Sequence, residues 1–450
     1  MNPHIFKAYD VRGLYPQELD EQIFHQIGRA FVAYLNAKRI GVGRDMRVSS
    51  PSLAAAFIAG AREQGADVID YGMISTDMIY YAVGTEDLDG GAQITASHNP
   101  KQYNGCKMVG RGNHPLSGDA GISDIRDMIA GNRIPAAPSK AGSLTPRNIL
   151  DGYVAHVLSF INPSILRPAT VVLDGGCGMA GLVAPALFKS LPYTVEALCF
   201  TPDGTFPTHE ANPLIEENRR DIVARVKGTT AAEIGIAWDG DADRCFFIDE
   251  DGEFISGDFI TALLAEAFML KEPGATVVYD LRASYAVKDV AAQYGGTAVM
   301  NRVGHAFFKG RMRELNAVFG GEVTGHYYFR DNFYCDNGFI PALLILELMA
   351  KKKQSLKQLL EPLRAKYFIS GEINTKMPSM DAMTARMAAI EARYPDAKIS
   401  KLDGISIEYP DWHFNVRPSN TEPLLRLNLE GTTSEQMEQK RDEVLSIIRS

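Results

Sequence analysis

The stretch Ile234–Ile248, IGIAWDGDADRCFFI, sets an acidic loop between two apolar runs. Ile234–Ala237 and Cys245–Ile248 are short and apolar, which predicts two buried strands. Between them Asp239, Asp241 and Asp243 stand at i, i+2 and i+4. On an extended segment all three carboxylates point to one side and repel one another, and a cation is needed to offset that repulsion. Hard oxygen ligands in that number suit Mg²⁺ or Ca²⁺. A Ca²⁺-binding EF-hand beginning at Asp239 would match its acidic positions and place Glu250 at the bidentate one. Arg244 occupies the position where that loop needs glycine, and strands flank the loop where an EF-hand has helices, so the pattern argues against it. A merely solvated acidic loop is the plain alternative, and the apolar runs on both sides argue against that.

Outward from this loop, helical and strand patterns alternate. Glu18–Asn36 places Ile23, Ile27, Phe31 and Tyr34 at helical spacing and is followed by a strand, Arg39–Gly43. Ser52–Gln64 and Asp67–Tyr71 form a second such pair, and Ala92–Thr95 is a further strand. Thr170–Asp174 (TVVLD) runs into a glycine-rich turn and a helix, and Ala275–Asp280 (ATVVYD) does the same, a weak sign of recurring βα units. Such alternation implies layered α/β domains with mixed or parallel sheets. The last part differs: strands Ile405–Tyr409, His413–Val416 and Leu424–Leu429 precede a helix, Thr433–Ile448, opened by a Thr433–Gln436 capping box. Roughly 150 residues per domain would suggest about three domains. A Pro, Ala, Ser and Gly-rich linker, Arg133–Arg147, and a turn, Asp249–Gly252, divide the 450 residues further. The expected domains are 1–147, 148–251 and 252–364, each α/β, and a smaller α+β domain, 365–450.

The 46 Lys and Arg against 55 Asp and Glu, a formal charge of -9, argue against a general polyphosphate-binding surface such as nucleic-acid proteins carry. The longest apolar stretch, Phe339–Leu346, is far shorter than the roughly 20 residues that cross a bilayer. Met1–Asp10 has neither signal-peptide nor transit-peptide character. Five singly spaced cysteines read as reduced thiols. A soluble, cytoplasmic protein is expected.

Three more loops follow apolar strands. Thr95–Pro100 (TASHNP) presents the hydroxyl of Ser97 beside the imidazole of His98, where nucleophiles are often exposed; Gly-x-Ser-x-Gly is absent there, and a simple turn is the alternative. Gly320–His326 (GGEVTGH) alternates Glu322 and Thr324, suited to a sugar's vicinal hydroxyls, and His305 follows a nearby strand. Arg417–Pro423 (RPSNTEP) combines a guanidinium, hydroxyls and an amide, a cradle for a phosphate dianion as well as an ordinary hairpin. A divalent site beside Arg244 suits phosphoryl chemistry, with Ser97 completing the metal shell.

In that order and spacing the four loops resemble the α-D-phosphohexomutase family, over essentially the whole chain. Supporting matches are Phe6–Gly13 (FKAYDVRG), Gly43–Asp45 with Arg47, Tyr103–Lys107 (YNGCK) and Pro202–Pro207 (PDGTFP). The resemblance implies a four-domain, heart-shaped molecule with a central cleft. It also implies that Ser97 is phosphorylated at rest and that Ser97, Asp239, Asp241 and Asp243 hold Mg²⁺. The phosphoryl group would pass to O1 of a hexose 6-phosphate, giving a hexose 1,6-bisphosphate, also the activator, before the 6-phosphoryl group returns to Ser97. Arg12, His98 and Lys107 match positions lining the phosphoserine, without spacing telling which is the general base. Arg244, Arg282, His305, Glu322, Thr324, His326, Arg417, Ser419, Asn420 and Thr421 are implied to bind substrate. The GEVTGH loop and its continuation Tyr327–Asp336 resemble bacterial phosphomannomutases that feed GDP-mannose and polysaccharide synthesis, with a phosphoglucomutase or dual-specificity enzyme as the alternative. Departures are Val323 and Thr324 for the commoner Met and Ser, Pro418 and Glu422 for small residues, and Arg282 where Lys is frequent. A serine/metal phosphohydrolase and a non-catalytic sugar-phosphate sensor are the readings from other classes. Hexose phosphates are the expected partners, with no nucleic acid or membrane, and the expected state is a monomer or weak homodimer.

Overall fold

A computed structural model describes residues 2–118, 120–419 and 423–450, and in it the acidic loop joins two antiparallel strands, Ala232–Trp238 and Cys245–Ile248, with Trp238 opposite Cys245. A hairpin and not a helix pair frames the triad, which removes the EF-hand alternative. These strands belong to a five-stranded sheet in the order Phe254–Ile255, Cys245–Ile248, Ala232–Trp238, Ala169–Asp174, Tyr193–Leu198. Ala169–Asp174 runs parallel to both of its neighbours, so the TVVLD run sits at a central position, buried on both faces toward its end.

A six-stranded mixed sheet precedes it, ordered Val11–Leu14, Tyr103–Gly110, Gly90–Ile94, Arg39–Arg44, Asp67–Met73, Leu144–Pro146. The expected linker thus ends in an edge strand, Leu144–Pro146, paired in parallel with Asp67–Met73. All three of its residues are exposed, so no apolar pattern marked it. The helix expected from Glu18 begins at Glu21 because Asp20 caps it, accepting from the Ile23 N–H at 2.8 Å. It stops where Asn36 turns left-handed. Phe24, Phe31, Phe57, Val68 and Ile94 are fully buried together, each stabilising the fold by about 1.5–3 kcal/mol.

The chain forms two compact units. The first holds residues 1–255, 304–318 and 324–356, and includes both sheets above, the antiparallel pair Tyr327–Phe329 and Cys335–Asp336, and the helix Phe339–Lys352. The second holds residues 256–303, 319–323 and 357–450. There Thr276–Asp280, the ATVVYD strand, lies between Thr297–Asn301 and Phe319–Gly321, parallel to both, with the helix Gly257–Met269 preceding it. The C-terminal sheet orders Phe368–Ile369, Leu424–Gly431, Trp412–Pro418, Ile405–Glu408 and Lys398–Ser400, with Ile373–Lys376 also paired to Leu424–Gly431. Three of these six strands were expected; the other three are short, half-exposed edges without an apolar run. The helices Met380–Arg393 and Ser434–Arg449 cover a core of Ile407, Phe414, Val416, Leu425, Leu427 and Val444. The capping box is shifted by one residue: Thr433 accepts from the Gln436 N–H, but the Gln436 side chain accepts from the Thr432 N–H at 3.0 Å.

One polar thread in the first unit crosses sequence-distant segments. Asp77, in the first turn of the helix Thr76–Thr85, accepts hydrogen bonds from Ser75 and, at 2.5 Å, from the Tyr153 hydroxyl. Asn337 donates to the same hydroxyl at 2.9 Å, and its carbonyl caps the Phe339–Lys352 helix. Burial pushes the Asp77 carboxyl up to about 7, against the lowering effect of these hydrogen bonds. The fold therefore favours the protonated acid. Its contribution is fully present below the ordinary carboxyl range and is lost as the pH rises through about 7. Asp77→Asn should flatten the fall in melting temperature between about pH 4 and pH 7. Parallel pH profiles for the two proteins would refute this.

Candidate active site

Ser97 lies just beyond the strand Gly90–Ile94 in left-handed backbone, φ 49°, which a non-glycine residue holds only when its surroundings impose it. Arg47 imposes it. Its fully buried guanidinium donates to the carbonyls of Ser97 at 2.9 Å, Asn99 at 2.6 Å, Pro100 at 2.8 Å and Tyr103 at 3.0 Å. A planar fork with several donors makes that possible where a lysine would not. Asp45, equally buried, balances the charge at 3.2 Å and ties back to the Arg47 N–H and the Ser50 hydroxyl.

The serine is in turn joined to the acidic hairpin. Its hydroxyl donates to Asp239 Oδ2 at 2.7 Å and lies 3.2 Å from His98 Nδ1. Gly240 permits the approach, since a Cβ there would stand 2.5 Å from the Ser97 carbonyl oxygen. Asp239, Asp241 and Asp243 are 0–1% exposed, and one oxygen from each falls within 4.8 Å of the others. Lys107 reaches both Asp241, at 2.7 Å, and Asp243. Arg244 Nε donates to Asp239 at 3.0 Å, with Nη2 of the same guanidinium ion-paired to it at 2.9 Å, and Thr76 donates to Asp241 at 2.6 Å.

The titration behaviour follows from this crowding. Burial alone would raise the Asp241 carboxyl, but the attraction and hydrogen bond of Lys107 outweigh it and hold it below the usual range. Burial and then repulsion from Asp241 push Asp243 well up. Burial would lower Lys107, yet the carboxylates around it, Asp241 and Asp243 first, keep its ammonium charged. Burial and then the charges of Arg244 and Arg12 lower His98 well below the ordinary imidazole value, so the ring is neutral near pH 7. Asp241 Oδ1 and Asp243 Oδ1 are buried without hydrogen-bond partners among the described residues. Three converging carboxylates with two unused oxygens fit a hard divalent cation.

Arg12 sits one layer back, donating to the Ala96 carbonyl at 2.6 Å and paired with Asp10. His326 Nε2 stands 3.7 Å from Asp243 Oδ1, and its Nδ1 is 3.3 Å from the Thr324 hydroxyl. Ser97, His98, Arg12, Lys107, the triad, Arg244, Thr324 and His326 thus all belong to the first unit. His305 opens the helix His305–Leu315 of the same unit, but its side chain lies outside the described residues.

In the second unit Arg282 is gripped by Asp280, with Nε at 2.9 and 3.0 Å from its two oxygens, and stands 4.0 Å from Glu322. Glu372 gathers three guanidiniums, Arg426 at 3.2 Å, Arg282 at 3.3 Å and Arg417 at 3.7 Å. Burial, then the neighbouring charge of Arg282, lowers the Arg417 pKa, and its buried Nε has no hydrogen-bond partner among the described residues. Ser419 is buried beside it in the chain, its N–H donating to the Leu424 carbonyl at 2.8 Å. Asn420 and Thr421 lie outside the described residues.

Four family models match in succession: phosphoglucomutase/phosphomannomutase alpha/beta/alpha domain I over residues 3–133, domain II over 151–252, domain III over 256–367 and the C-terminal domain over 372–447. The chain belongs to this family. A phosphomannomutase of Escherichia coli is 42% identical, covering 99% of each chain, and a Xanthomonas campestris relative named for phosphohexose mutases is 41% identical with the same coverage. The crystal structure of a family protein from Burkholderia thailandensis superposes with a TM-score of 0.90 at 32% identity, covering 100% of this chain and 98% of that one.

Two residues at the site escaped the sequence reading. Arg47 stands in a segment that matches the family, yet a residue acting on four backbone carbonyls leaves no side-chain pattern. Thr76 opens an ordinary helix, and only the fold brings it to Asp241, 165 residues away. Arg47→Ala would strand Asp45 as an unpaired buried charge, and the unfolding midpoint in denaturant should drop by the equivalent of about 3–5 kcal/mol. A midpoint within error of the parent would show that Arg47 does not hold the serine loop.

Proposed function

We propose that the chain is a phosphomannomutase, interconverting mannose 6-phosphate and mannose 1-phosphate through a phosphoserine at Ser97. The observation that carries this reading is the Ser97 hydroxyl 2.7 Å from Asp239, inside a buried triad neutralised by Lys107 and Arg244. A serine is a poor nucleophile and a poor leaving group near neutral pH, so its surroundings must carry the charge on its oxygen. Asp239, Asp241, Asp243 and Ser97 would hold Mg²⁺, which when bound supplies that neutralisation.

The rest falls to the chain's own groups. The phosphoryl–Oγ bond of Ser97 breaks as the bond to the C1 oxygen of mannose 6-phosphate forms, and the hydroxyl proton of C1 leaves to a base. His98, 3.2 Å from Oγ, is placed to exchange a proton with that oxygen. Lys107 and Arg12 are bound to carboxylates and a carbonyl, and act as charge and position. The 6-phosphoryl group of the hexose 1,6-bisphosphate then returns to Ser97 after the sugar has turned over. Each phosphate in turn needs one distal clamp, which we assign to Arg417, Ser419, Asn420 and Thr421. Arg417 has donors to spare for it, as its buried Nε has no hydrogen-bond partner among the described residues and Glu372, 3.7 Å away, is shared with two other guanidiniums. Arg244, Arg282, His305, Glu322, Thr324 and His326 are assigned to the sugar and its phosphate. In this reading residues 1–147, 148–251, 252–364 and 365–450 are the four domains contributing one loop each.

Among the described residues no helix is long and apolar enough to cross a membrane. The substrates are water-soluble hexose phosphates, and we place the enzyme in the cytoplasm.

Purified protein with Mg²⁺ and a catalytic amount of hexose 1,6-bisphosphate should convert mannose 1-phosphate to mannose 6-phosphate, with glucose 1-phosphate run alongside to rank the two sugars. Steady phosphate release without isomerisation would overturn the mutase reading in favour of a hydrolase. Intact-mass measurement should find one phosphate that Ser97→Ala loses; an unphosphorylated and inactive parent would leave only a sensor. Asp241→Asn should slow turnover about 10²- to 10³-fold with an unchanged circular dichroism spectrum. Near-parent rates would make the triad structural.

A further inference from the structure

A second cluster of ligand-type side chains lies where the parallel strands Ala169–Asp174 and Tyr193–Leu198 end. Asp174 is the last residue of its strand, Cys177 and Cys199 follow in the two loops, and His209 arrives from the segment after Pro207. The Cys177 N–H donates to the Cys199 carbonyl at 2.8 Å, which sets the two cysteines side by side. Both hold left-handed backbone, φ 53° and 51°. Strain of this kind at two adjacent non-glycine residues marks an imposed geometry.

Asp174 Oδ2, Cys199 Sγ and His209 Nε2 all lie within 4.8 Å of one another. The nitrogen stands 3.1 Å from the carboxylate oxygen and 3.7 Å from the sulfur. Tetrahedral bonds of the usual lengths to zinc would place such pairs roughly 3.3 and 3.6 Å apart. The other histidine nitrogen, Nδ1, faces the Glu210 carbonyl at 3.0 Å, the partner that fixes Nε2 as the ligating atom. Asp174 is likewise held by its second oxygen, which accepts from the Gly176 N–H at 2.9 Å. Asp174 and Cys177 are buried, and the His209 side chain is 10% exposed.

We propose that Asp174, Cys199 and His209, with the Cys177 thiol drawn in from beside Cys199 as a fourth ligand, form a binding site for a zinc-class divalent cation, distinct from the carboxylate triad. Two thiols and an imidazole select a borderline-soft metal over Mg²⁺. On coordination each cysteine gives its thiol proton to solvent, and the sulfur's electron pair goes to the metal with no change of oxidation state. The His209–Asp174 ion pair alone leaves the paired cysteines without a role.

The site touches the catalytic hairpin through the backbone. The Met179 N–H donates to the Gly240 carbonyl at 2.9 Å, and a Cβ on Gly178 would lie 2.6 Å from the same oxygen. A cation gripping Cys177 therefore braces the loop that carries Asp239 and Asp241.

The test titrates the full chain, reduced and stripped of metal, with Co²⁺ in excess Mg²⁺. About one equivalent should produce thiolate-to-cobalt charge-transfer absorption and the intense visible bands of tetrahedral cobalt, both displaced by Zn²⁺. Cys199→Ser should abolish them, while Cys335→Ser keeps them. Should Cys199→Ser fold poorly, alkylation of the unaltered protein decides: Zn²⁺ should protect Cys177 and Cys199, a chelator should expose them, and Cys106, Cys245 and Cys335 should not respond. Only the weak bands of oxygen-bound cobalt, unchanged thiol reactivity with Zn²⁺, or a Cys177–Cys199 disulfide in freshly purified protein would each overturn the site.

Discussion

Three carboxylates held within 4.8 Å of one another at 0–1% exposure constitute the main electrostatic problem of the first unit. Each buried ion costs several kcal/mol unless it is paired and hydrogen-bonded. The groups that meet that need come from far along the chain: Lys107 across 134 residues, Ser97 across 142 and Thr76 across 165. Arg244 contributes from within the same hairpin. The two large sheets of this unit are therefore linked electrostatically as well as by packing, because neither supplies a neutral environment for the triad by itself.

Packing reinforces the same junction. Trp238, fully buried at the end of the strand that enters the acidic loop, donates to the Gly338 carbonyl at 2.7 Å and stacks on Phe339 at 5.4 Å. The helix that begins at Phe339 is capped by Asn337, which also holds Tyr153 and through it Asp77. On the other side Arg47 draws four carbonyls of the serine loop around one guanidinium. The Ser97 hydroxyl is thus presented by a loop whose strain is borne by buried, charge-assisted hydrogen bonds. A rigid serine beside a rigid acid suits chemistry in which position and charge, more than covalent chemistry, lower the barrier.

The second unit has a different electrostatic character. Its acids, Asp280, Glu322 and Glu372, are set against Arg282, Arg417 and Arg426, and the guanidiniums share rather than saturate their partners. Shared pairs of this kind can be exchanged for a ligand's oxygens, while the tightly clamped triad of the first unit is built to keep its geometry.

The strand–loop–strand grammar is legible in the amino-acid order alone. Apolar runs of four to six residues ending in polar loops mark Gly90–Ile94, Ala169–Asp174, Ala232–Trp238, Thr276–Asp280 and the central strands of the C-terminal sheet. That order also singles out the serine, the triad and Arg417, because chemistry concentrated in a short loop leaves a local pattern. Edge strands such as Leu144–Pro146 and Lys398–Ser400 left none, since an exposed edge has no face to bury. Arg47, Thr76 and the grouping of Asp174, Cys177, Cys199 and His209 were decided only by the tertiary structure. Their partners lie in other strands and loops, or are backbone carbonyls, and spacing along the chain carries no trace of a neighbour brought close through space.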